Sequence, residues 1–263
     1  IMGLSQLLLG ADLPPQQREC VETMRAAGEG LLVILNDILD FSRIEAGRLE
    51  MRPVPVDVDR LLEEARRVMA QAADQQGLSL SIERDPSLPR VVLCDPTRLR
   101  QILLNLLSNA IKFTSSGRVV LSAARAKGPS GDEGRVSVVF AVRDTGPGVP
   151  ADVRERIFEP FVQTEDAMVR NPGGTGLGLS ISNRLVELLG GSGLRLESAP
   201  GGGSVFSFVL SLAEPQGPRT RPEPSLSPAA DFGGLRVLVA EDNPYNRFLL
   251  QKILQKLGVG RAD

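Results

Sequence analysis

The first fifty residues carry apolar positions with the period of a helix. Apolar or small side chains recur at steps of three and four from Val21 to Ser42, which is the seam of a bundle helix. A breaker cluster from Gly10 to Pro15 separates this stretch from an earlier helical arm. Residues 1–52 are therefore predicted to be a helical hairpin. The long seam favours a dimeric four-helix bundle, and the alternative is an amphipathic pair packed on its own domain.

Residues 53–213 mix the helical period with strand-like alternation. The fold class predicted from this order is α+β, in which the hairpin is followed by an α/β sandwich with helices on one face of a mixed sheet. The predicted helices span residues 61–75, 99–113 and 177–189, and the predicted strands span 78–82, 118–124, 136–144, 194–198 and 204–212.

Two shorter regions complete the chain. Residues 214–233 contain five prolines among polar residues and are predicted to be a linker. Residues 234–263 begin with an apolar strand over 235–240 and continue, after two acids, with a helix over 246–257. One βα unit is too small to bury a core. We therefore expect a truncated α/β domain here, and we expect the chain, which starts with Ile, to be part of a longer protein.

Composition removes several classes of function. The 263 residues include no histidine, which excludes imidazole bases and histidine-ligated zinc, and two cysteines cannot form an all-cysteine zinc site. The formal net charge of −2 argues against nucleic acid as the main partner. Because no apolar run approaches about 18 residues and no leader is visible, we expect a cytoplasmic location, with membrane anchoring only through regions outside the chain.

A polar stripe on the helix over 99–113 is the first candidate for chemistry. Asn105, Asn109 and Lys112 are spaced by four and three residues and share one face. The alternative is a solvated face, but asparagine is a poor residue in the middle of a helix. Amide oxygens and an ammonium group suit Mg²⁺ and polyphosphate oxygens.

Two glycine-containing turns are the other candidates. An apolar strand ends at Asp144, whose carboxylate could accept a hydrogen bond from an exocyclic amine while Gly146 and Gly148 let backbone approach a flat ring such as adenine. A second glycine-rich loop, residues 171–180, opens a helix and is predicted to bind phosphate. Residues 163–170 are interpreted as a lid whose Arg170 reaches phosphate, and a plain surface loop is the alternative.

Taken in order, four segments resemble the motifs of the catalytic domain of sensor histidine kinases, which belong to a wider family with gyrase-type and chaperone ATPases. They are residues 95–114 (N box), 144–148 (first glycine box), 158–161 (F box) and 173–179 (second glycine box). Residues 36–47 are similar to the end of that family's dimerisation hairpin, and residues 236–244 to the start of a receiver domain. The resemblance covers nearly the whole chain and implies a hybrid histidine kinase.

The resemblance implies ATP and Mg²⁺, with phosphoryl transfer to a hairpin histidine and then to a receiver aspartate. It also implies a homodimer formed through the hairpin, with receiver or phosphotransfer domains as partners. Asn105 and Asn109 would also hold Mg²⁺, and Glu241 and Asp242 match the acidic pair of an incomplete receiver Mg²⁺ site. The implied ATP-binding residues are Asn105, Asn109, Lys112, Asp144, Gly146, Gly148, Arg170, Gly174, Thr175, Gly176, Leu177 and Gly178.

Both phosphoacceptors are missing from this pattern. The acceptor histidine is expected a few residues before Ile1 and the receiver aspartate beyond Asp263, so the chain is expected to bind MgATP without labelling itself. Two other functions stay open. A hydrolase of the same superfamily would need a carboxylate base where Asn105 stands. A non-enzymatic dimer scaffold would use ATP only to order its lid.

Overall fold

The computed structural model describes residues 2–11, 13–126, 134–162, 175–215, 236–242, 244–256, 258 and 261–262. Contacts between residues divide the chain into two units. One unit comprises Ile1–Val33 and Pro218–Asp263, and the other comprises Ile34–Gly217.

The chain begins with a helical hairpin, as predicted. Helix α1 spans Met2–Leu9 and helix α2 spans Pro15–Glu45. The two helices approach closely at Gly28, where an added Cβ would lie 2.8 Å from Sδ of Met2. Apolar side chains of the predicted seam remain exposed on α2 at Met24, Leu31, Leu35 and Ile38. This stripe therefore has no covering partner within the described part of the single chain.

Among its described residues, the second unit contains a seven-stranded sheet, three complete helices and the end of α2. In chain order the elements are β1 (Val54–Asp57), α3 (Val58–Gln75), β2 (Leu78–Arg84), β3 (Val91–Cys94), α4 (Pro96–Phe113), β4 (Gly117–Arg125), β5 (Arg135–Asp144), a 3₁₀ turn (Arg156–Phe158), α5 (Gly178–Leu188), β6 (Arg195–Ser198) and β7 (Ser204–Ala213).

The sheet is mixed and is covered on one face. Its strand order is β1-β3-β7-β5-β4-β2, with β6 paired to β7, and only β2 and β4 are parallel. Alternate residues of β5 and β7 are buried while those between them are half-buried, because only one face packs on the helices. Phe140 and Phe208 oppose each other in this register, and their rings stack at 5.3 Å. The predicted α+β class is confirmed.

Two strands, β1 and β3, were not expected from the sequence. Each has four residues, and β1 contains Pro55, which cannot donate to a strand ladder. They pair with each other, and β1 forms one edge of the sheet, where a proline is tolerated. Runs this short carry too little periodicity to be distinguished from loops.

The C-terminal segment contains three short elements, β8 (Arg236–Val237), α6 (Pro244–Lys256) and β9 (Arg261–Ala262). Of the strand expected over 235–240, Leu235 lies outside the described residues, and of the others only Arg236 and Val237 form a strand, paired with β9. Residues 216–233 of the predicted linker lie outside the described residues. None of the described helices is long and apolar enough to span a membrane.

Candidate functional site

Helix α4 is held by a strong N-terminal cap and a buried face. Oδ1 of Asp95 accepts hydrogen bonds from the backbone N–H groups of Thr97 (3.0 Å) and Arg98 (3.2 Å), and proline follows at the first helical position. The apolar positions predicted from the sequence are largely buried, and they leave the polar stripe on the opposite side. The buried residues of α4 are Leu99, Ile102, Leu103, Leu106, Leu107, Ala110 and Ile111.

Near the C-terminal end of α4, two half-buried polar side chains lack polar partners among the described residues. The Asn109 side chain makes no hydrogen bond there, and the Lys112 ammonium forms no ion pair. Lys112 Nζ lies 4.8 Å from the ring centroid of Phe113, and burial lowers the pKa of Lys112. A partly desolvated cation beside an unused amide suits an anionic ligand and its counter-ion.

Asn105 has a different environment from Asn109. Its Nδ2 donates to Ser182 Oγ on α5 at 2.8 Å. Its Oδ1 faces Gly178, where an added Cβ would lie only 2.5 Å away. Asn105 therefore joins α4 to the first turn of α5, and a side chain at residue 178 would force the Asn105 amide to move.

The Asp144 carboxylate closes the end of β5. It is buried, and its Oδ1 accepts hydrogen bonds from the backbone N–H of Gly146 (2.8 Å) and of Ser204 (3.2 Å). Burial raises the pKa of Asp144, and these hydrogen bonds oppose the rise. The carboxylate is thus positioned by backbone amides from two different loops.

A buried hydroxyl without a partner lies beside this carboxylate. Thr114 is 1% exposed, and its Oγ1 has no hydrogen-bond partner in the described structure. A Cβ on Gly146 would be 3.0 Å from both Thr114 Oγ1 and Asp144 Oδ1. Because residue 146 is glycine, no side chain lies between these two polar groups. Such an orphaned polar atom is expected where a ligand or a water binds.

The loop after Asp144 packs backbone to backbone against the turn before β7. Gly148 has φ +79° and Gly203 has φ +96°. A Cβ on Gly203 would overlap the carbonyl group of Asp144, and one on Gly148 would lie 3.3 Å from the Gly203 carbonyl oxygen. Gly203 and Ser204 were not among the predicted site residues, although the run Gly201 to Gly203 is visible in the sequence.

The described part of the second glycine loop is anchored to the F box. Thr175 Oγ1 accepts a hydrogen bond from the Leu177 N–H at 3.1 Å. Phe161 donates its backbone N–H to the Gly176 carbonyl at 3.1 Å, and Gly176, at φ +68°, has no room for a Cβ beside the Phe161 backbone. These contacts fix the loop just before the start of α5. The first N–H groups of an α-helix have no intrahelical acceptor.

Contacts along one face of α2 were missed by the sequence analysis. Asp37 Oδ2 accepts a hydrogen bond from Thr175 Oγ1 at 3.2 Å, and desolvation raises the pKa of Asp37. Asp40 pairs with Arg98 at 3.3 Å and also accepts from Gln101. On the same face, the Phe41 ring contacts the Phe161 ring edge-to-face at 6.4 Å. Residues 37, 40 and 41 share one face of a helix, and this spacing was the signal in the sequence that could have indicated these contacts.

The structure therefore brings most of the predicted positions around α4. The Asp144 loop reaches the C-terminal end of α4 at Phe113 and Thr114, and the second glycine loop reaches its middle through Asn105. Arg170 and Gly174 lie outside the described residues. Glu241 is half-buried and Asp242 is exposed in the other unit, and no group of three or more acidic or cysteine residues that could hold a metal occurs in the described ranges.

Two family models match the chain. Residues 94–214 match the histidine kinase-, DNA gyrase B-, and HSP90-like ATPase model, and residues 1–47 match the His Kinase A (phospho-acceptor) domain model. The matched segments contain the hairpin and the elements from α4 to β7.

Relatives and solved structures agree with these matches. The sensor histidine kinase GacS of Pseudomonas protegens is 38% identical over 98% of this chain, which covers 27% of that protein. Hybrid signal transduction histidine kinase A of Dictyostelium discoideum is 37% identical over 82% of this chain, which covers 10% of that protein. The crystal structure of full-length ShkA in complex with AMPPNP aligns with a TM-score of 0.66 and 35% identity, over 100% of this chain and 52% of that one. The chain thus spans about a quarter or less of these two curated relatives.

Proposed function

Because the chain belongs to the sensor histidine kinases, we propose that it is the ATP-dependent kinase core of a two-component phosphorelay. In this proposal residues 1–52 are the dimerisation hairpin and residues 53–213 the ATP-binding catalytic domain. Residues 214–233 are a linker, and residues 234–263 begin a receiver domain, as in a hybrid kinase.

The observation that carries the proposal is the set of polar groups without protein partners around the C-terminal half of α4. Asn109, Lys112 and Thr114 have unused polar atoms in the described structure, and the buried carboxylate of Asp144 lies beside Thr114. A structural role alone does not account for the buried Thr114 hydroxyl without a partner, since such a group costs stability. A nucleotide supplies the complementary donors and negative charges.

Each part of the nucleotide has its own set of residues in this proposal. The Asp144 carboxylate accepts a hydrogen bond from the exocyclic amine of adenine, and Gly146 and Gly148 allow backbone to approach the ring. Lys112 and Arg170 contact phosphate oxygens. The segment from Gly174 to Gly178, which includes Thr175, Gly176 and Leu177, would contact the phosphates at the start of α5 through backbone N–H groups that are not already used within the loop, as that of Leu177 is by Thr175 Oγ1.

The residues present fit a magnesium ion that accompanies the nucleotide. Mg²⁺ prefers oxygen ligands, and Asn109 offers an amide oxygen without a partner among the described residues. Asn105 supplies a second amide on the same helix face. When bound, Mg²⁺ neutralises phosphate charge. Glu241 and Asp242 would contribute two ligands to a separate receiver site.

Phosphoryl transfer depends mainly on position and on stabilisation of charge. This chain orients the donor through α4 and the two glycine loops, and it offers Lys112 to the phosphate charge. It contains no histidine, so the acceptor has to be supplied by another polypeptide or segment. The amide of Asn105 cannot act as a general base for water, which favours transfer over hydrolysis.

The proposed partners follow from the exposed stripe on α2. Leu31, Leu35 and Ile38 are each about half exposed, and a second hairpin would cover them in a four-helix bundle. A homodimer through the hairpin is therefore proposed, with receiver or phosphotransfer domains as the next partners in the relay.

The proposal is tested by supplying the acceptor. The chain is incubated with γ-labelled ATP, Mg²⁺ and a separate hairpin polypeptide that carries a histidine before the α1 sequence; the control hairpin carries glutamine in its place. Acid-labile label is expected on the histidine hairpin alone, and none on the chain itself. Steady phosphate release at several turnovers per minute without labelling would instead indicate a hydrolase. Nucleotide binding with neither activity would indicate a scaffold.

A further inference from the structure

A polar cavity lies at the end of α4 opposite to the proposed nucleotide site. It has a volume of about 350 Å³ and is formed by the end of α2, the connection to β1 and the first turn of α4. At about 1.5 Å per residue, the 11 residues from Arg98 to Asn109 place it roughly 16 Å along the helix from the proposed nucleotide site. Its lining residues are Arg43, Arg48, Leu49, Glu50, Arg52, Asp95, Thr97 and Arg98.

The backbone fixes two of the four arginines at the end of α2. Gly47, at φ +62°, donates its N–H to the Ile44 carbonyl at 3.0 Å, and Arg48 donates its N–H to the Arg43 carbonyl at 2.9 Å. This is the pattern of a Schellman cap. Arg43 and Arg48 are therefore held as neighbours by a stable helix terminus.

The other two arginines are fixed through Asp95. Asp95 is 6% exposed, and its Oδ2 accepts the backbone N–H of Arg52 at 3.0 Å while its Oδ1 caps α4 beside Arg98. Both carboxylate oxygens are thus engaged by backbone amides. Asp95 orders the cavity wall without forming an ion pair with any of the guanidinium groups.

The charge of the cavity is unbalanced. Four guanidinium groups face two carboxylates, those of Glu50 and Asp95. The side chains of Arg43, Arg48 and Arg52 make no hydrogen bond or ion pair with any described residue. Arg43, Arg48 and Arg52 are exposed, but exposed arginines elsewhere are paired, since Arg60 and Arg67 of α3 form ion pairs with glutamates. Three unpaired guanidinium groups around one cavity provide donors that match phosphate geometry.

We propose that this cavity binds a small multivalent anion of the phosphate class, of the size of pyrophosphate. Arg98 lines the cavity and also takes part in the contact between α2 and α4. Arg98 Nη1 lies 3.3 Å from Asp40 Oδ2 on α2 and 2.9 Å from Gln101 Oε1. An anion that engages Arg98 competes with Asp40, so anion binding and the contact between α2 and α4 oppose each other.

The test uses pyrophosphate as the probe and removes the nucleotide site from the measurement. Pyrophosphate is titrated by calorimetry, without divalent cations and at fixed ionic strength, into the Asn109→Ala chain. Saturable one-to-one binding is expected. Arg43→Gln combined with Arg48→Gln should weaken it at least tenfold, whereas Arg195→Gln, on the exposed strand β6, should leave it within twofold.

Two further measurements test which phosphate compound binds and whether its binding opposes the contact between Arg98 and Asp40. ADP without Mg²⁺ should compete with pyrophosphate if nucleotide phosphates use the cavity, and should not compete if free phosphates are the ligands; either result is compatible with the site. Asp40→Asn should tighten pyrophosphate binding several-fold by releasing Arg98. Absent saturation, equal weakening in the Arg195 control, or no response to Asp40→Asn would overturn the proposal. All variants are checked by thermal unfolding, and the outcome is independent of the kinase proposal.

Discussion

Replacement of Asn109 by alanine is expected to reduce the affinity for MgATP by at least about 100-fold, which corresponds to about 2.7 kcal/mol. The amide of Asn109 is half-buried and unpartnered among the described residues, so its removal should leave the fold intact while it deletes a ligand for the cation and phosphates. Isothermal titration calorimetry with MgATP measures the effect directly.

The matched control is the neighbouring residue. Ser108 is exposed on the same turn of α4, and Ser108→Ala should leave the affinity within about twofold. Both variants should unfold at nearly the wild-type temperature. Wild-type affinity in a folded Asn109→Ala chain would contradict the role assigned to this amide.

The second large effect is expected at Gly203. Its φ is +96°, and an added Cβ would overlap the Asp144 carbonyl group, which is backbone and cannot rotate away. Gly203→Ala should therefore displace the Asp144 loop, lower the free energy of unfolding and weaken nucleotide binding at least tenfold. Urea unfolding and calorimetry measure the two consequences separately.

Gly202 provides a control for backbone strain alone. It has φ +103°, but an added Cβ would have no neighbour within 4 Å. Gly202→Ala should cost about 1–2 kcal/mol of stability from strain, with nucleotide affinity nearly unchanged. Gly203→Ala should exceed that cost by about 1–3 kcal/mol, the usual range for overpacking. Equal effects of the two substitutions on stability and affinity would show that the contact between Gly203 and Asp144 is not required.

Local patterns predicted the elements that are long and periodic. The helix over 99–113 was visible from its apolar spacing, and the structure adds only its first turn, capped by Asp95. Strands β5 and β7 alternate along ten residues each, so their buried faces could be read from the sequence. Strand β1 could not, because its pairing with β3 depends on residues 34 to 40 positions away.

The candidate site likewise has a part that local sequence patterns indicate and a part that they do not. Glycines and an acid at the end of a strand indicate a ligand loop from the sequence alone, as at Asp144 and Gly146. The hydrogen bond between Thr175 and Asp37 spans 138 residues, and no local pattern encodes it. The arginines of the cavity at the start of α4 are likewise brought together by a helix cap and a buried carboxylate rather than by their spacing in the sequence. Contacts between distant segments are therefore the part that required the structure.

The central claim is that one nucleotide binds between α4 and the two glycine loops. Hydrogen–deuterium exchange of the chain with and without MgAMPPNP tests where binding occurs. Exchange should slow at residues 144–149 and 175–180 together, with no such protection in the Asn109→Ala chain. Protection that is absent from these two loops, or confined to another part of the chain such as residues 43–52, would contradict it.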